Sequence, residues 1–148
     1  MPQWKQPTSG QIEAGNYYKP RVRFQGLKVA VENPAGTVRS GPGWRTKMQH
    51  AYGYLEGTKG RDGDAIDVYV GPHQEAPHAY VVHQRTHGNW KRWDEDKVML
   101  GFKSKREAVQ AFLKHYDDAR FLGPVSKLKV EELKQRLVNG AKTLIRRR

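Results

Sequence analysis

Three aspartates occur within six residues near the middle of the chain, at Asp62, Asp64 and Asp67. Carboxylates this close repel one another unless a cation or water offsets their charge, and their oxygens suit a hard divalent ion such as Mg2+. With Gly60 and Gly63 beside them, the same residues also fit a solvated acidic turn, because aspartate and glycine are ordinary turn residues. An EF-hand fits poorly, because Asp67 occupies the position that an EF-hand reserves for glycine. The three acids alone leave a metal site and a solvated turn both open.

The residues that follow the acidic loop alternate from Ile66 to Val70, as the residues of a half-buried strand do. We therefore expect a loop that leads into a strand, with Asp67 at the boundary. Because successive side chains of a strand point to opposite faces, Asp67 and Tyr69 should share one face of that strand.

Further motifs lie on both sides of the acids. The chain reads Tyr-Gly-Tyr at residues 52–54, Thr58, and then Asp-Gly-Asp-x-x-Asp at 62–67. Glu-Asn-Pro stands at 32–34, Asp-Glu-Asp-Lys at 94–97, and Tyr116 ends a helix-like segment. In this order and spacing they resemble the signature of the soluble family I inorganic pyrophosphatases, over residues 20–120. The combination looks most similar to the shortened pyrophosphatase-like domains of bacteriophages and mobile elements.

The resemblance implies a Mg2+-dependent hydrolysis of a phosphoanhydride, most simply of pyrophosphate to two phosphates. It implies a set of metal-binding acids, which are Asp62, Asp67, Glu95, Asp94 and Glu32. Asp67 would bridge two ions, and Asp64 would act as the general base. Phosphate would be held by hydroxyl and cationic side chains, which are Tyr52, Lys97, Tyr116, Arg39 and Arg45. Tyr52 and Lys97 would also take part in catalysis.

The chain departs from the family pattern at three places. Ser40-Gly41 stands where a second glutamate is expected, and Gly88-Asn89 where another metal-ligating aspartate is expected. Asp117 replaces a cation that follows the helix tyrosine. The missing groups predict weaker metal binding, slower turnover, a different phosphate ester or a loss of activity.

The formal net charge is +12 and is unevenly distributed. Eight of the fifteen acids lie between Glu56 and Asp96, and the chain ends in the three arginines at 146–148. An acidic centre within a basic chain fits a metal site that attracts an anionic substrate. It also fits basic ends that bind nucleic acid or pack against a nucleic-acid-filled particle. The alternative function is therefore a catalytically weak or inactive pyrophosphatase-like fold that acts as a nucleic-acid-binding or virion-associated phage protein.

The 148 residues suit one hydrophobic core. We expect a polar arm at 1–18 and a single domain at 19–148 with a basic C-terminal tail. Short strands come first, including a hairpin at 21–31, and two helices follow, one capped at Ser104. The Gly-, Pro- and Ser-rich segment 33–47 is expected to be a long loop. This order predicts an α+β fold, and the resemblance implies a small OB-like five-stranded β-barrel with two C-terminal helices.

Other features of the sequence exclude several classes of protein. The chain has no cysteine, so it holds no disulfide and no zinc–thiolate cluster. No apolar run approaches the roughly 18 residues of a membrane span, and residues 1–5 lack the apolar core of a secretory signal. We expect a cytoplasmic protein, in the host cytoplasm or the virion if a phage encodes it. Four histidines between residues 73 and 87 match no helix face, and we expect surface or hydrogen-bonded side chains rather than metal ligands. The oligomeric state stays open.

Overall fold

The computed structural model of the chain describes residues 19–60, 63–138 and 140. These residues form nine strands, two α-helices and one short 3-10 helix at Ala119–Phe121. The strands are β1 Arg21–Phe24, β2 Leu27–Asn33, β3 Val38–Gly41, β4 Trp44–Lys47, β5 Ala51–Leu55, β6 Asp67–Val70, β7 His78–Thr86, β8 Asn89–Leu100 and β9 Val125–Lys129. The helices are α1 Lys105–Leu113 and α2 Val130–Val138. None of the helices among these residues has the length and the apolar character that spanning a bilayer requires.

Seven of the strands make one curled sheet, in the order β1-β2-β5-β6-β8-β7-β9. Its neighbouring strands are antiparallel except for β6 and β8, which run parallel. Strands β3 and β4 form a separate two-stranded hairpin. The parallel pair lies in the middle of the sheet, and its Asp67 and Lys97 stand directly beside each other in register.

Side chains alternate between the two faces along every strand, so each face of the sheet carries its own set of residues. One helix packs against each face. We call one side the apolar face; it carries a cluster that includes Val29, Val68, Val81, Val98 and Leu128. Helix α2 covers it with Val130 and Leu133. We call the other side the aromatic face; it carries Tyr52, Tyr69, Tyr80, Val82 and Met99. Helix α1 covers part of it with Ala108, Ala111 and Phe112.

Several local predictions are confirmed. The hairpin at 21–31 is the β1–β2 pair, and it turns at Gln25 and Gly26. Helix α1 begins after Ser104, whose hydroxyl accepts a hydrogen bond from the Glu107 amide at 3.1 Å. A cap of this kind contributes about 1 kcal/mol to helix stability. Strand β6 begins at Asp67, as the alternation from Ile66 predicts.

The predicted α+β class, with a curled sheet and two helices, is confirmed, but two details differ. The main sheet has seven strands rather than five. The segment 33–47 is not a long loop, because most of it pairs as the β3–β4 hairpin around Pro42-Gly43. The predicted polar arm at 1–18 and the end of the basic tail at 141–148 lie outside the described residues.

Candidate functional site

Lys97 on β8 is the centre of a buried polar group on the aromatic face. Only 3 % of the residue is exposed. Its Nζ lies 2.5 Å from Oδ2 of Asp67 and 2.6 Å from Oε1 of Glu95, and it donates a hydrogen bond of 2.8 Å to the Tyr52 hydroxyl. One ammonium group therefore joins two carboxylates and a phenol that come from three adjacent strands.

The register of the sheet explains why these side chains meet. Asp67 is the first residue of β6 and pairs with Lys97 in the parallel ladder. Glu95 precedes Lys97 by two residues, so it projects from the same face of β8. Tyr52 lies on β5, the other neighbour of β6. Its neighbour Gly53 is required for close strand approach, because a Cβ there would stand 1.9 Å from the backbone oxygen of Ala30.

The acidic loop is closed at its base by Thr58. The Thr58 hydroxyl donates to the backbone oxygen of Leu55 at 2.6 Å and accepts from the amide of Ile66 at 3.0 Å. The hydroxyl therefore ties the end of β5 to the start of β6. Within the loop, the Gly60 amide donates to the backbone oxygen of Asp64 at 2.6 Å, and the residue Asp64 is exposed.

Electrostatics favour the charged form of Lys97 and the neutral form of the surrounding phenols. Burial opposes the ammonium, but Tyr116, Tyr52, Asp67 and Glu95 together outweigh it and hold the pKa of Lys97 well above its usual value. Burial raises the pKa of Tyr52 far above its usual value. Burial also raises the pKa of Glu95, against the opposing effect of the lysine. At neutral pH the site therefore holds one fixed cation and hydroxyl groups that keep their protons.

Tyr116, just after α1, borders the same group. Its hydroxyl is hydrogen-bonded to that of Tyr69, and burial raises the pKa of Tyr116 to about 12. Its ring stacks on Phe112 with centroids 4.3 Å apart, which fixes the phenol against the helix. His115 donates from Nδ1 to the backbone oxygen of Ala111 at 2.7 Å and accepts at Nε2 from the Gln49 amide at 2.9 Å, so it ties the end of α1 to the segment just before β5. The raised pKa keeps the Tyr116 hydroxyl available as a donor across the neutral range.

A cleft of about 740 Å3 opens beside this group, between the β3–β4 hairpin and the segment after α1. The Arg39 guanidinium lies 4.8 Å from the ring centre of Tyr52 and 5.3 Å from that of Trp44. Arg45 is exposed and lines the cleft, as does Tyr116. Four of the predicted phosphate-binding side chains thus lie at or beside the cleft, and Lys97 adjoins them through Tyr52.

The comparison with known families decides the relationship. A family model described as Inorganic Pyrophosphatase matches residues 9–138. The chain belongs to the inorganic pyrophosphatase family. No curated protein matches the chain at a significant level. The predicted family is confirmed, and the similarity to the short domains of phages and mobile elements stays a prediction.

In this pyrophosphatase-family chain, the predicted acids divide into two groups. Asp67 and Glu95 meet at the Lys97 ammonium, each with about a quarter of its side chain exposed. Three others, namely Glu32, Asp64 and Asp94, are exposed rather than part of the buried group. Asp62 lies outside the described residues. In the part of the chain that the structure describes, no three acidic or histidine side chains are arranged to hold a metal ion.

The donors that do meet still suit Mg2+. This ion keeps several waters and is commonly held by only one or two carboxylates together with substrate phosphates. Asp67 and Glu95 are such a pair. Gln84 stands opposite Glu95 in the β7–β8 ladder, and its buried Oε1 has no hydrogen-bond partner among the described residues. An unpaired buried acceptor next to the carboxylate matches the needs of a hydrated cation, whose waters are donors.

The sequence did not reveal the aromatic side of the site. Trp44, Tyr69 and Phe121 all line the cleft. A signal for the hairpin that presents Trp44 was available, because Pro42-Gly43 is a turn dipeptide between two alternating segments. Tyr69 was placed on the correct face, but its bond to Tyr116 depends on packing between β6 and the end of α1.

The four histidines between residues 73 and 87 were expected to be surface or hydrogen-bonded side chains, and His83 is a hydrogen-bonded one. Its Nδ1 lies 2.5 Å from Oδ1 of Asp96, and its Nε2 lies 2.7 Å from the Ser126 hydroxyl. The histidine and the aspartate are both buried. By strand alternation all three side chains lie on the apolar face, so they form a polar network on the opposite side of the sheet from Lys97. His83 is a hydrogen-bonded side chain, as predicted.

Proposed function

We propose that this protein is a Mg2+-dependent phosphohydrolase that splits pyrophosphate, or a related phosphoanhydride, with water. The observation that supports it best is the Lys97 ammonium held against Asp67, Glu95 and Tyr52 beside an open, basic cleft. In the reaction, water adds to one phosphorus, the bridging P–O bond breaks, and a proton is released as two phosphates form. This arrangement supplies a cation and phenolic donors at the place where a phosphate leaving group gains charge.

The residues that would hold the ion are Asp67 and Glu95, joined by Asp62 and by the solvent-facing acids Asp94 and Glu32 when substrate is present. A bound divalent ion supplies charge neutralisation of the phosphate oxygens and a lower pKa for the attacking water. Asp64, on the exposed acidic loop, is the proposed general base. A base in that position accepts the proton of the attacking water.

The remaining side chains bind and orient the anhydride. Lys97 carries a fixed positive charge, since its pKa is held well above neutral. Tyr52 and Tyr116 keep their protons, because burial raises both of their pKa values. They can therefore donate hydrogen bonds to phosphate oxygens without becoming anions themselves. Arg39, stacked on Tyr52, and Arg45 add positive charge on the cleft side.

Phosphate release from pyrophosphate in the presence of Mg2+ tests the proposal. Asp67→Asn should lower the rate at least about 100-fold, because it removes a metal ligand next to the attacking water. Asp118→Asn is the matched control, because Asp118 pairs with Arg120 outside the Lys97 group and its loss should leave the rate unchanged. No phosphate release from any phosphoanhydride by the wild-type protein would refute the proposal.

The net charge of +12 favours a second candidate function, in which the fold binds nucleic acid with a weak or inactive site. Its predicted binding residues include the three arginines at 146–148. Retention on DNA or RNA should then fall steeply with salt, because binding releases counterions. Retention that survives Asp67→Asn and disappears when 146–148 are removed supports this function over catalysis.

A further inference from the structure

The cleft beside Lys97 is much larger than a bare pyrophosphate ion requires. Its volume of about 740 Å3 lies within the roughly 300–1,000 Å3 range of pockets that hold small organic ligands. Only part of its lining consists of proposed phosphate-binding groups, which are Arg39, Arg45 and Tyr116. Arg39 and Tyr116 adjoin Tyr52 and Lys97. The rest of the lining is available for a larger part of a ligand.

Another part of the lining is aromatic and includes Trp44, His87 and Phe121. It adjoins the phosphate-binding groups, since Phe121 lies 5.0 Å from the Tyr116 ring and Trp44 lies 5.3 Å from the Arg39 guanidinium. The His87 and Phe121 rings are stacked at 27° with centroids 5.8 Å apart, and Trp90 packs edge-on to Phe121 at 5.0 Å. Neighbouring rings therefore hold Phe121 in place, while Trp44 is 41 % exposed on the facing hairpin. Aromatic side chains on opposite walls of a cleft are suited to stacking against a planar ring, such as a nucleobase.

Arg39 joins the aromatic and the polar parts of the lining. Its guanidinium lies between the Trp44 indole and the Tyr52 phenol, and Tyr52 accepts a hydrogen bond from Lys97. A ligand that reaches from Trp44 to Lys97 would therefore pass along a cationic side chain. A base joined to a chain of phosphates has this order of groups, with an apolar plane at one end and negative charge at the other.

Asp117 lines the same cleft. A carboxylate there repels a bare anion, and it occupies the place where the family resemblance leads us to expect a cation. It is well suited to accept hydrogen bonds from sugar hydroxyls, as acidic residues do for the ribose of dinucleotides. The acid thus favours a ligand with a hydroxyl-bearing segment between its ring and its phosphates.

We infer that the cleft recognises a ribonucleoside polyphosphate, with the base against Trp44 and Phe121, the ribose near Asp117 and the phosphates toward Arg39 and Lys97. The inference rests on the proposed phosphohydrolase function for its chemistry. Water adds to the terminal phosphorus and the bond to the bridging oxygen breaks. For a nucleoside triphosphate, the products are the nucleoside diphosphate, phosphate and a proton.

Binding measured without turnover tests the recognition separately from the chemistry. The β,γ-methylene analogue of ATP and methylenediphosphonate, each with Mg2+, are titrated by calorimetry into the wild-type protein and into Trp44→Ala and Trp44→Phe. The nucleotide analogue should bind about tenfold more tightly than the diphosphonate. Trp44→Ala should weaken the nucleotide analogue about tenfold and leave the diphosphonate unchanged, and Trp44→Phe should restore most of the loss. Because Trp44 is exposed, we expect each variant to stay folded, and thermal melting checks this.

Two results would overturn the inference. One is equal affinity for the two analogues in the wild-type protein. The other is an equal loss for both analogues in Trp44→Ala. Selective nucleotide binding without phosphate release from ATP or pyrophosphate would support the recognition and refute the hydrolase instead. Asp117→Asn should shift the two affinities in opposite directions, weaker for the nucleotide and tighter for the diphosphonate, and an unchanged ratio would overturn the assignment of the ribose.

Discussion

Replacing Lys97 with methionine should destabilise the protein in a pH-dependent way. Methionine keeps a similar length and removes the charge, so Asp67 and Glu95 remain side by side without a cation. Breaking a buried ion pair by removing one partner costs about 3–5 kcal/mol. Each carboxylate side chain here is 24 % exposed, which places the expected loss near the lower limit, at about 3 kcal/mol. For a chain of this size the loss corresponds to a fall in Tm of roughly 6–12 °C.

The pH dependence follows from Glu95. Burial already raises its pKa, and Lys97 is the largest opposing influence, so removing the lysine raises that pKa further. A carboxyl group whose folded pKa exceeds its unfolded pKa binds its proton more tightly in the folded state. Its contribution to stability is complete below the unfolded pKa and is lost as pH rises through the folded pKa. The penalty of Lys97→Met should therefore be smaller at about pH 5 than at about pH 8.

Urea denaturation at the two pH values measures this effect. Lys28→Met is the matched control, because Lys28 is exposed on β2, and it should change the free energy of unfolding by less than about 0.5 kcal/mol. Lys97→Arg keeps the charge and separates electrostatics from shape. Added Mg2+ should stabilise Lys97→Met more than the wild-type protein, since a ligand of the folded state raises its stability. Equal losses in the two methionine variants, or a penalty that does not vary with pH, would refute the reasoning.

Three further results are expected. Asp96→Ala leaves the buried imidazole of His83 without its carboxylate and should cost about 2 kcal/mol in urea denaturation; a loss below 0.5 kcal/mol would contradict the network. Gly101→Ala should lower the free energy of unfolding by about 1–3 kcal/mol more than Gly43→Ala does. Both glycines have a positive φ, but only at Gly101 would the added Cβ stand 2.6 Å from a backbone oxygen. Equal thermal shifts in the two variants would contradict that argument. The free energy of unfolding should fall as pH rises from about 10 to about 12, because Tyr116 keeps its proton in the folded state and loses it on unfolding. Phenolate absorbance that appears fully at pH 10 in the folded protein would be inconsistent with this.

Local sequence patterns were sufficient to predict several elements and part of the site. Alternation after the acidic loop placed Asp67 at the start of a strand and on the same face as Tyr69, and both are observed. Ser104 marked the start of α1 because a capping side chain acts within one helical turn. These features depend on contacts between residues that are near one another in the chain, which is why a single sequence shows them.

The remaining features depend on how distant segments pair. Nothing within β6 or β8 indicates that they run parallel, and that pairing places Asp67 beside Lys97. The Gly- and Pro-rich composition of 33–47 concealed a hairpin, so the position of Trp44 against Arg39 was not predicted. Family resemblance identified Glu32 as a metal ligand, but its side chain is exposed in the structure, and its role stays a prediction.

The parallel strands β6 and β8 end at the same level, and each is followed directly by a glycine. The backbones of Gly71 and Gly101 approach so closely that a Cβ on either would stand 2.6 Å from the other's carbonyl oxygen. This contact lies four residues beyond Asp67 and Lys97. It fixes the register of the two strands relative to each other. A one-residue insertion or deletion between Lys97 and Gly101 would turn the ammonium to the apolar side of the sheet. Changes of chain length in this short stretch should therefore abolish the ion pair even when every side chain of the site is retained.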